Sequence, residues 1–251
     1  MKQFNSMQEN KKNGTLFIVS TPIGNLEDIT LRAIRILKES DIIAAEDTRR
    51  TRILLNHYQI KKPLISYFEH NKIYKGKLIV KELLNGRNVA LVSDAGTPGI
   101  SDPGYLLIKQ SLEQGIDIVP VCGVSALNAA LSVCGLPTNR FYFSGFLPIK
   151  RSKKKTFLEK FKDKEETIII FESPHRLIKT LEDIKEVIGD RNIAICRELT
   201  KIYEEIFRGK ISEGIEEFLN RKVIKGEFTI VIGGANSLAD SEKPLQTIPD
   251  F

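Results

Sequence analysis

The sequence predicts an α/β protein of two α/β domains, with a mostly parallel sheet in the first and a mixed sheet in the second. Three observations predict it. Short apolar runs alternate with amphipathic segments through residues 14–119, the βαβα order of a parallel sheet with helices on its faces. Pro120 to Gly123 reads as a junction, and the pattern starts afresh beyond it. In the second half the strand-like runs 192–197 and 203–208 follow one another too closely for a crossover helix, so they pair antiparallel.

In the first domain, 14–119, Thr15 to Ser20 is a strand. Leu31, Ile34 and Leu37 recur at helical spacing and mark a helix over 31–38. Ile42 to Ala45 is a short apolar strand, followed by a helix from Arg49 to Tyr58 and a short strand from Leu64 to Ser66. A helix over Lys72 to Leu84 leads to the buried strand Val89 to Val92. A helix over Tyr105 to Gln114 then leads to a strand over Ile116 to Val119.

In the second domain, 120–234, Val124 to Cys134 is a helix of small and apolar residues. Phe141 to Phe143 is a strand, and a basic segment leads into a helix over Thr156 to Phe161. Thr167 to Phe171 is a very apolar strand. The amphipathic helix Arg176 to Ile188 ends at Gly189, a fitting carboxyl-end cap. Strands 192–197 and 203–208, a helix over Ile211 to Asn220 and a last strand over Glu227 to Ile232 complete it. Residues 1–13 and 235–251 read as flexible tails.

Composition narrows the function classes. The chain has 251 residues, 41% hydrophobic and 28% charged, as in a soluble globular protein. No apolar run reaches the length of a membrane span. The amino end is polar and lysine-containing, unlike a secretory signal, so a cytoplasmic location is expected. Cys122, Cys134 and Cys196 are scattered, which argues against a disulfide framework and against a thiolate metal site. His57, His70 and His175 are dispersed, and no metal is expected. The formal net charge of +6 favours a polyanionic partner. It is clustered at Arg49, Arg50 and Arg52, and again at Lys150, Arg151, Lys153, Lys154 and Lys155.

The most informative stretch is Val92 to Gly104. Three glycines and two prolines there let the backbone approach a ligand and hold the turn rigid. It follows a strand, and the carboxyl end of a strand is where α/β sheets bind ligands. The loops Ser20 to Leu26 and Pro120 to Ala126 also follow strands, so three loops can converge on one crevice. Neither a G-x-G-x-x-G fingerprint nor a G-x-x-x-x-G-K-[ST] phosphate loop is present.

Together these motifs carry a resemblance. Thr21 to Leu26, Ala45 to Arg49, Ser93 to Gly104 and Gly123 to Ala126 resemble the tetrapyrrole-methylase superfamily. Phe171 to Arg176 and Cys196 to Lys201 resemble, within it, the branch of bacterial 16S rRNA (cytidine 2′-O) methyltransferases. The resemblance spans about Gly14 to Gly234. Ser93-Asp94-Ala95 stands where tetrapyrrole-methylating relatives carry Gly-Asp-Pro, as in the rRNA branch.

The resemblance implies an enzyme using S-adenosyl-L-methionine (AdoMet), with the cofactor in a cleft between two α/β domains. It implies a homodimer that methylates a ribose 2′-hydroxyl of a cytidine in the decoding region of 16S rRNA, in the small ribosomal subunit. The cofactor residues implied are Ile23, Asp94, Ala95, Gly96, Thr97, Gly99, Ser125 and Ala126, with Phe171 and Phe228 near the adenine. Asp94 either contacts the cofactor or bonds its own loop's amides.

A ribose hydroxyl is a poor nucleophile while protonated, so a general base is expected. Glu46, Asp47, His70, Glu172 and His175 are the candidates, with Glu46, Asp47 and His70 foremost. Asp47 is equally a helix amino-end cap. Arg49, Arg50 and Arg52 would then sit in that helix's first turn, each opposing its dipole by roughly 0.3–1 kcal/mol. RNA phosphates would give them a partner, as would Glu46 and Asp47 themselves. Lys150, Arg151, Lys153, Lys154, His175, Arg176 and Arg197 are further RNA candidates, and Phe146 joins an aromatic ring to the basic run. The alternatives are a tetrapyrrole C-methyltransferase and a non-catalytic RNA-binding module.

Overall fold

A computed structural model describes residues 13–101 and 103–235. Asp102 and nearly all of the two expected tails lie outside the described residues. The chain forms two compact units that divide between Ser125 and Ala126.

The first unit runs β1 (Leu16–Val19), α1 (Leu31–Glu39), β2 (Ile42–Ala45), α2 (Thr48–His57), β3 (Leu64–Ser66), α3 (Lys72–Leu84), β4 (Val89–Val92), α4 (Tyr105–Glu113) and β5 (Ile118–Val121). The strands form one sheet in the order β3-β2-β4-β1-β5, every pair parallel. All four residues of β2 and of β4 are buried, because helices cover both faces. Ala33, Ile36 and Leu37 of α1 and Leu55 of α2 pack with Val19, Ile43 and Val92 on one face. Ile79 and Leu83 of α3 and Leu107 of α4 pack with Leu16, Ala44 and Leu91 on the other.

The last strand is displaced from its expected place at 116–119. It starts at Ile118 and includes Pro120, which pairs with Ile18. As β5 is a sheet edge, a residue without an N–H is tolerated there. Pro120 is therefore part of the sheet, and the next helix starts at Ala126 rather than Val124.

The second unit runs α5 (Ala126–Val133), β6 (Phe141–Phe146), α6 (Arg151–Glu159), β7 (Thr167–Glu172), α7 (Leu177–Ile188), β8 (Asn192–Arg197), β9 (Glu205–Lys210), α8 (Ile211–Leu219) and β10 (Phe228–Ile232). Its sheet is mixed, in the order β6-β7-β10-β8-β9, with only β6 and β7 parallel. Leu158, Ile170, Leu181, Ile184, Ile195 and Ile230 lie in its core. Arg191 is fully buried at the start of β8. It donates to the carbonyls of Ile188, Phe161, Lys162 and Gly233, which ties three segments together.

Three elements differ from expectation. β6 extends to Phe146 through a bulge between Phe143 and Gly145. α6 begins at Arg151, five residues early, because Lys154 points into the core one turn before Leu158. β9 starts at Glu205 rather than Tyr203, since residues 198–204 close a tight loop first.

Candidate active site

The neighbouring strands β1 and β4 send their chains to opposite faces of the first sheet, β1 to α1 and β4 to α4. Their carboxyl-end loops therefore part, the geometry at which α/β sheets take ligands. The two loops meet at one point. Thr21 N–H donates to the Gly96 carbonyl and Gly96 N–H to that of Thr21, both at 2.9 Å. Ser20 Oγ and Thr97 Oγ1 are 2.8 Å apart. Gly96 has φ +74° and Gly99 φ +84°, left-handed conformations that keep Cβ atoms off this turn. Ile23 is buried beside Gly96, 3.5 Å from where a Cβ would stand. The loop after β5 is drawn in as closely: a Cβ on Gly123 would lie 2.8 Å from Ser20 Cβ. Sequence reasoning placed the loops of Ser20, Thr21 and Gly123 at the crevice but did not single out these three residues. Their signal was polar or glycine residues directly after apolar strands.

A carboxylate cluster stands beside this turn. Asp94 Oδ1 accepts from Asp47 N–H at 2.9 Å, and its Oδ2 pairs with Arg50 Nη1 at 3.4 Å. Asp94 thus ties the β4 loop to the start of α2, rather than bonding its own loop's amides. Asp94 N–H in turn donates to Glu46 Oε2 at 3.4 Å. Asp47 caps α2 by accepting from Arg49 N–H at 2.8 Å, and its carboxylate also holds the Arg49 guanidinium.

These environments push the two adjacent carboxyls apart. Hydrogen bonds from the Arg49 side chain and backbone hold Asp47 down to about 2. Partial burial raises Glu46, with Asp94 and Asp47 adding repulsion against the donation from Asp94 N–H and the charge of Arg50. Asp47 is a weak base at neutral pH; Glu46 is the stronger one.

The other candidates are dispersed. His70 is exposed in the turn after β3, edge-on to Phe68. Arg52 is exposed and borders a surface pocket with Lys61 and Lys62. Arg49 and Arg50 are exposed, yet each has a carboxylate partner.

In the second unit several candidates turn out to be internal. Lys154 is only 4% exposed, paired with Asp183 Oδ2 at 3.1 Å and bonded to Thr180 Oγ1 at 2.9 Å. Thr180 donates to Glu172 Oε2 at 2.7 Å, and Arg176 Nε lies 3.3 Å from Glu172 Oε1. Arg151 holds the other Asp183 oxygen at 2.7 Å and also pairs with Glu186, as Lys155 does. Burial opposes ionisation of Asp183, and hydrogen bonds from Arg151 and Lys154 overcome it, so its carboxyl sits below its usual range. Lys154 is therefore corrected from an RNA contact to a core cation, and Glu172 from a base to a buried acceptor. Phe228 is likewise a core residue, edge-on to Phe218. Phe171 is half-buried against Phe143 and Phe146. Arg197 donates to the Lys225 carbonyl at 2.6 Å and pairs with Glu205. Lys150, Lys153 and His175 are exposed.

Among the described residues no group of His, Cys, Asp and Glu is placed to hold a metal ion, and no helix is long and apolar enough to cross a membrane.

A parallel five-stranded unit with a glycine turn at its carboxyl edge, followed by a mixed five-stranded unit, defines a known class. The chain belongs to the tetrapyrrole (corrin/porphyrin) methylase family, whose sequence model matches residues 15–214. It is 49% identical over 243 residues to the ribosomal RNA small subunit methyltransferase I of Halalkalibacterium halodurans, covering 97% of this chain and 84% of that one. It is 51% identical over 221 residues to the protein of the same name from Thermotoga maritima, covering 88% and 99%. Among solved structures, a cobalt precorrin-4 methyltransferase matches with TM-score 0.64 at 18% identity, over 87% of this chain and 94% of that one. Uroporphyrin-III C-methyl transferase from Thermus thermophilus, complexed with S-adenyl homocysteine, matches with TM-score 0.61 at 18% identity, over 87% and 97%. These two share the fold.

Proposed function

We propose that this chain is an AdoMet-dependent methyltransferase of small-subunit ribosomal RNA, acting on the ribose 2′-hydroxyl of a cytidine in the decoding region. The observation that carries this reading is about 50% identity, over most of the chain, to relatives named as methyltransferases of small-subunit ribosomal RNA.

The first unit's carboxyl edge fits such a cofactor. Gly96, Gly99 and Gly123 let the loops after β1, β4 and β5 close on their neighbours at this edge, since a Cβ there would meet Ile23, Ile108 and Ser20 in turn. Ile23, Ala95, Gly96, Thr97, Gly99, Ser125 and Ala126 hold the cofactor in this reading, which when bound supplies an electrophilic sulfonium methyl. Asp94 acts through the chain: with Arg50 it fixes Asp47 and Glu46 against the glycine turn. Glu46 is the general base: its carboxylate would take the 2′-hydroxyl proton while the oxygen accepts the methyl group, whose sulfur–carbon electron pair would stay with the cofactor's sulfur. Its raised affinity for a proton suits that task, worth about 10²–10⁴-fold. Holding the hydroxyl in line supplies much of the remaining acceleration. Arg49, while paired with Asp47, and Arg52, Lys150, Lys153 and His175 meet RNA phosphates in this reading. It also makes the protein a cytoplasmic homodimer.

Purified protein incubated with labelled AdoMet and small subunits from a strain lacking this enzyme should place label in a cytidine 2′-O-methyl group. AdoMet binding without transfer would return the tetrapyrrole reaction to first place. Calorimetry showing no AdoMet binding would sink the enzyme.

A further inference from the structure

One stretch singled out by sequence, Cys196 to Lys201, lies in the second unit, outside the glycine turn and carboxylates described above. It opens a loop at one end of the second sheet. Phe228 pairs with Arg197 and with Glu172, and Arg197 with Glu205. The loop 198–204 and the turn 221–227 therefore lie side by side at that end.

The loop is strained and held. Glu198 has φ +51° and Thr200 φ +67°, and a left-handed β-branched residue is a genuine outlier. Such strain persists only where the surroundings over-determine it, and it gathers at functional sites. Here Lys201 Nζ binds Glu198 and Glu227, each at 2.9 Å. Glu227 N–H donates to Glu198 Oε1 and Glu198 N–H to the Glu227 carbonyl. Thr200 N–H donates to Glu204 Oε2 at 2.6 Å. Gly226, at φ +105°, leaves the space that Glu198 fills.

This clamp presents two large side chains to solvent, Ile202 at 89% and Tyr203 at 68% exposure. Across from them the turn carries exposed Val223 between Lys222 and Lys225. Those two lysines make no ion pair among the described residues, whereas Arg197, Lys201 and Arg221 are all neutralised by carboxylates. An exposed aromatic ring on a firmly bonded loop, next to a turn with two lysines that have no ion pair among the described residues, is the chemistry of single-stranded RNA binding: ring on base, ammonium on phosphate.

We propose that loop 198–204 and turn 221–227 form a docking surface for single-stranded RNA, with Tyr203 stacking on a base and Lys222 and Lys225 meeting phosphates. The choice of RNA as occupant rests on the rRNA reading above.

The test uses the full chain and a fluorescein-labelled, cytidine-containing single-stranded RNA oligonucleotide, titrated by anisotropy at several salt concentrations. Tyr203→Ala should weaken binding roughly 5- to 150-fold, the range for one lost base stack, and Tyr203→Phe should restore it. Lys222→Ala and Lys225→Ala should each lower the slope of log affinity against log salt by about 0.7. Circular dichroism and AdoMet affinity should be unchanged in all four variants. Unchanged oligonucleotide affinity in Tyr203→Ala, or no binding by the parent chain, overturns the proposal. Loss of self-association instead, seen by light scattering, overturns it too and gives the surface to a second copy. Normal RNA binding by Tyr203→Ala alongside methylation of subunits would defeat this surface and leave the rRNA reading standing. Weakened binding without any methylation of subunits would do the reverse.

Discussion

The two units use charge in opposite ways. At the carboxyl edge of the first sheet, the glycine turn is main chain and short side chains, and the carboxylates beside it stay half-open to solvent. In the second unit, a chain of contacts runs from Arg151 through Asp183, Lys154, Thr180 and Glu172 to Arg176, with its centre shut away from water. A half-open charge can titrate and exchange partners, whereas a buried, fully bonded one holds elements together. Similar residues in similar numbers thus stay exchangeable in one unit and serve architecture in the other.

The largest expected contrast comes from removing one charge from each. Glu46→Gln should cost about 10²–10⁴-fold in methyl transfer while the fold is kept. The stability side has a definite sign. Because burial raises the folded pKa of Glu46 above its ordinary 4.5, its favourable contribution is present below that value and is lost as pH rises through the folded pKa. Glu46→Gln should therefore be at least as stable as the parent at pH 7, with its relative advantage shrinking as pH falls toward 4.5. Thermal melts at pH 4.5 and 7 check this. An inactive variant that is also much less stable at pH 7 would make Glu46 structural.

In the second unit the same kind of change should break the fold. Asp183→Ala leaves Lys154 buried without its counter-charge, which costs about 3–5 kcal/mol. Urea denaturation should show it. A double change, Asp183→Leu with Lys154→Met, should recover most of the loss, since apolar residues of similar volume often replace a buried pair without penalty. A loss under 1 kcal/mol in Asp183→Ala would mean that water reaches Lys154 and that the contrast between the units is false.

These two regions were also unequally legible in sequence. The four-residue apolar strands β2 and β4 are buried on both faces, so their hydrophobic runs announced them, and the glycines announced the turn. What the sequence could not display was pairing across distance. Asp94 meets Asp47 and Arg50 through sheet order, and nothing local marks that. The lysine run 150–155 misled for a related reason. A basic stretch reads as a solvated face, but on a helix every third or fourth side chain turns inward, and Lys154 has Asp183 waiting there. Phe228 was read as a ligand contact although it opens a five-residue strand buried throughout. Tyr203 has strand character and so draws the expected β9 two residues early, while the strained loop that exposes it depends on Lys201 pairing with nearby Glu198 and distant Glu227.

A smaller effect tests how tightly the first unit's turn is drawn. A methyl group at Gly123 would meet Ser20 Cβ at 2.8 Å, closer than carbon atoms pack. Gly123→Ala should destabilise by about 1–3 kcal/mol as the loops after β1 and β5 are forced apart. AdoMet affinity by calorimetry should fall in step. Full stability with normal affinity would mean that the loops after β1 and β5 have slack.

The smallest expected difference is chemical rather than energetic, and it reads the same contrast through thiols. Cys122 is exposed in the loop after β5, whereas Cys134 and Cys196 are buried in the second unit. Burial pushes the Cys196 thiol up to about 12, so almost none is thiolate at pH 8, and the thiolate is the species that reacts. Iodoacetamide on the folded protein should therefore label Cys122 first, as peptide mass mapping would show, with all three labelled only in denaturant. Added AdoMet should slow labelling of Cys122 if the cofactor orders that loop. Labelling of Cys196 as fast as Cys122 would mean that β8 opens readily, and the second unit would lose its standing as the rigid partner.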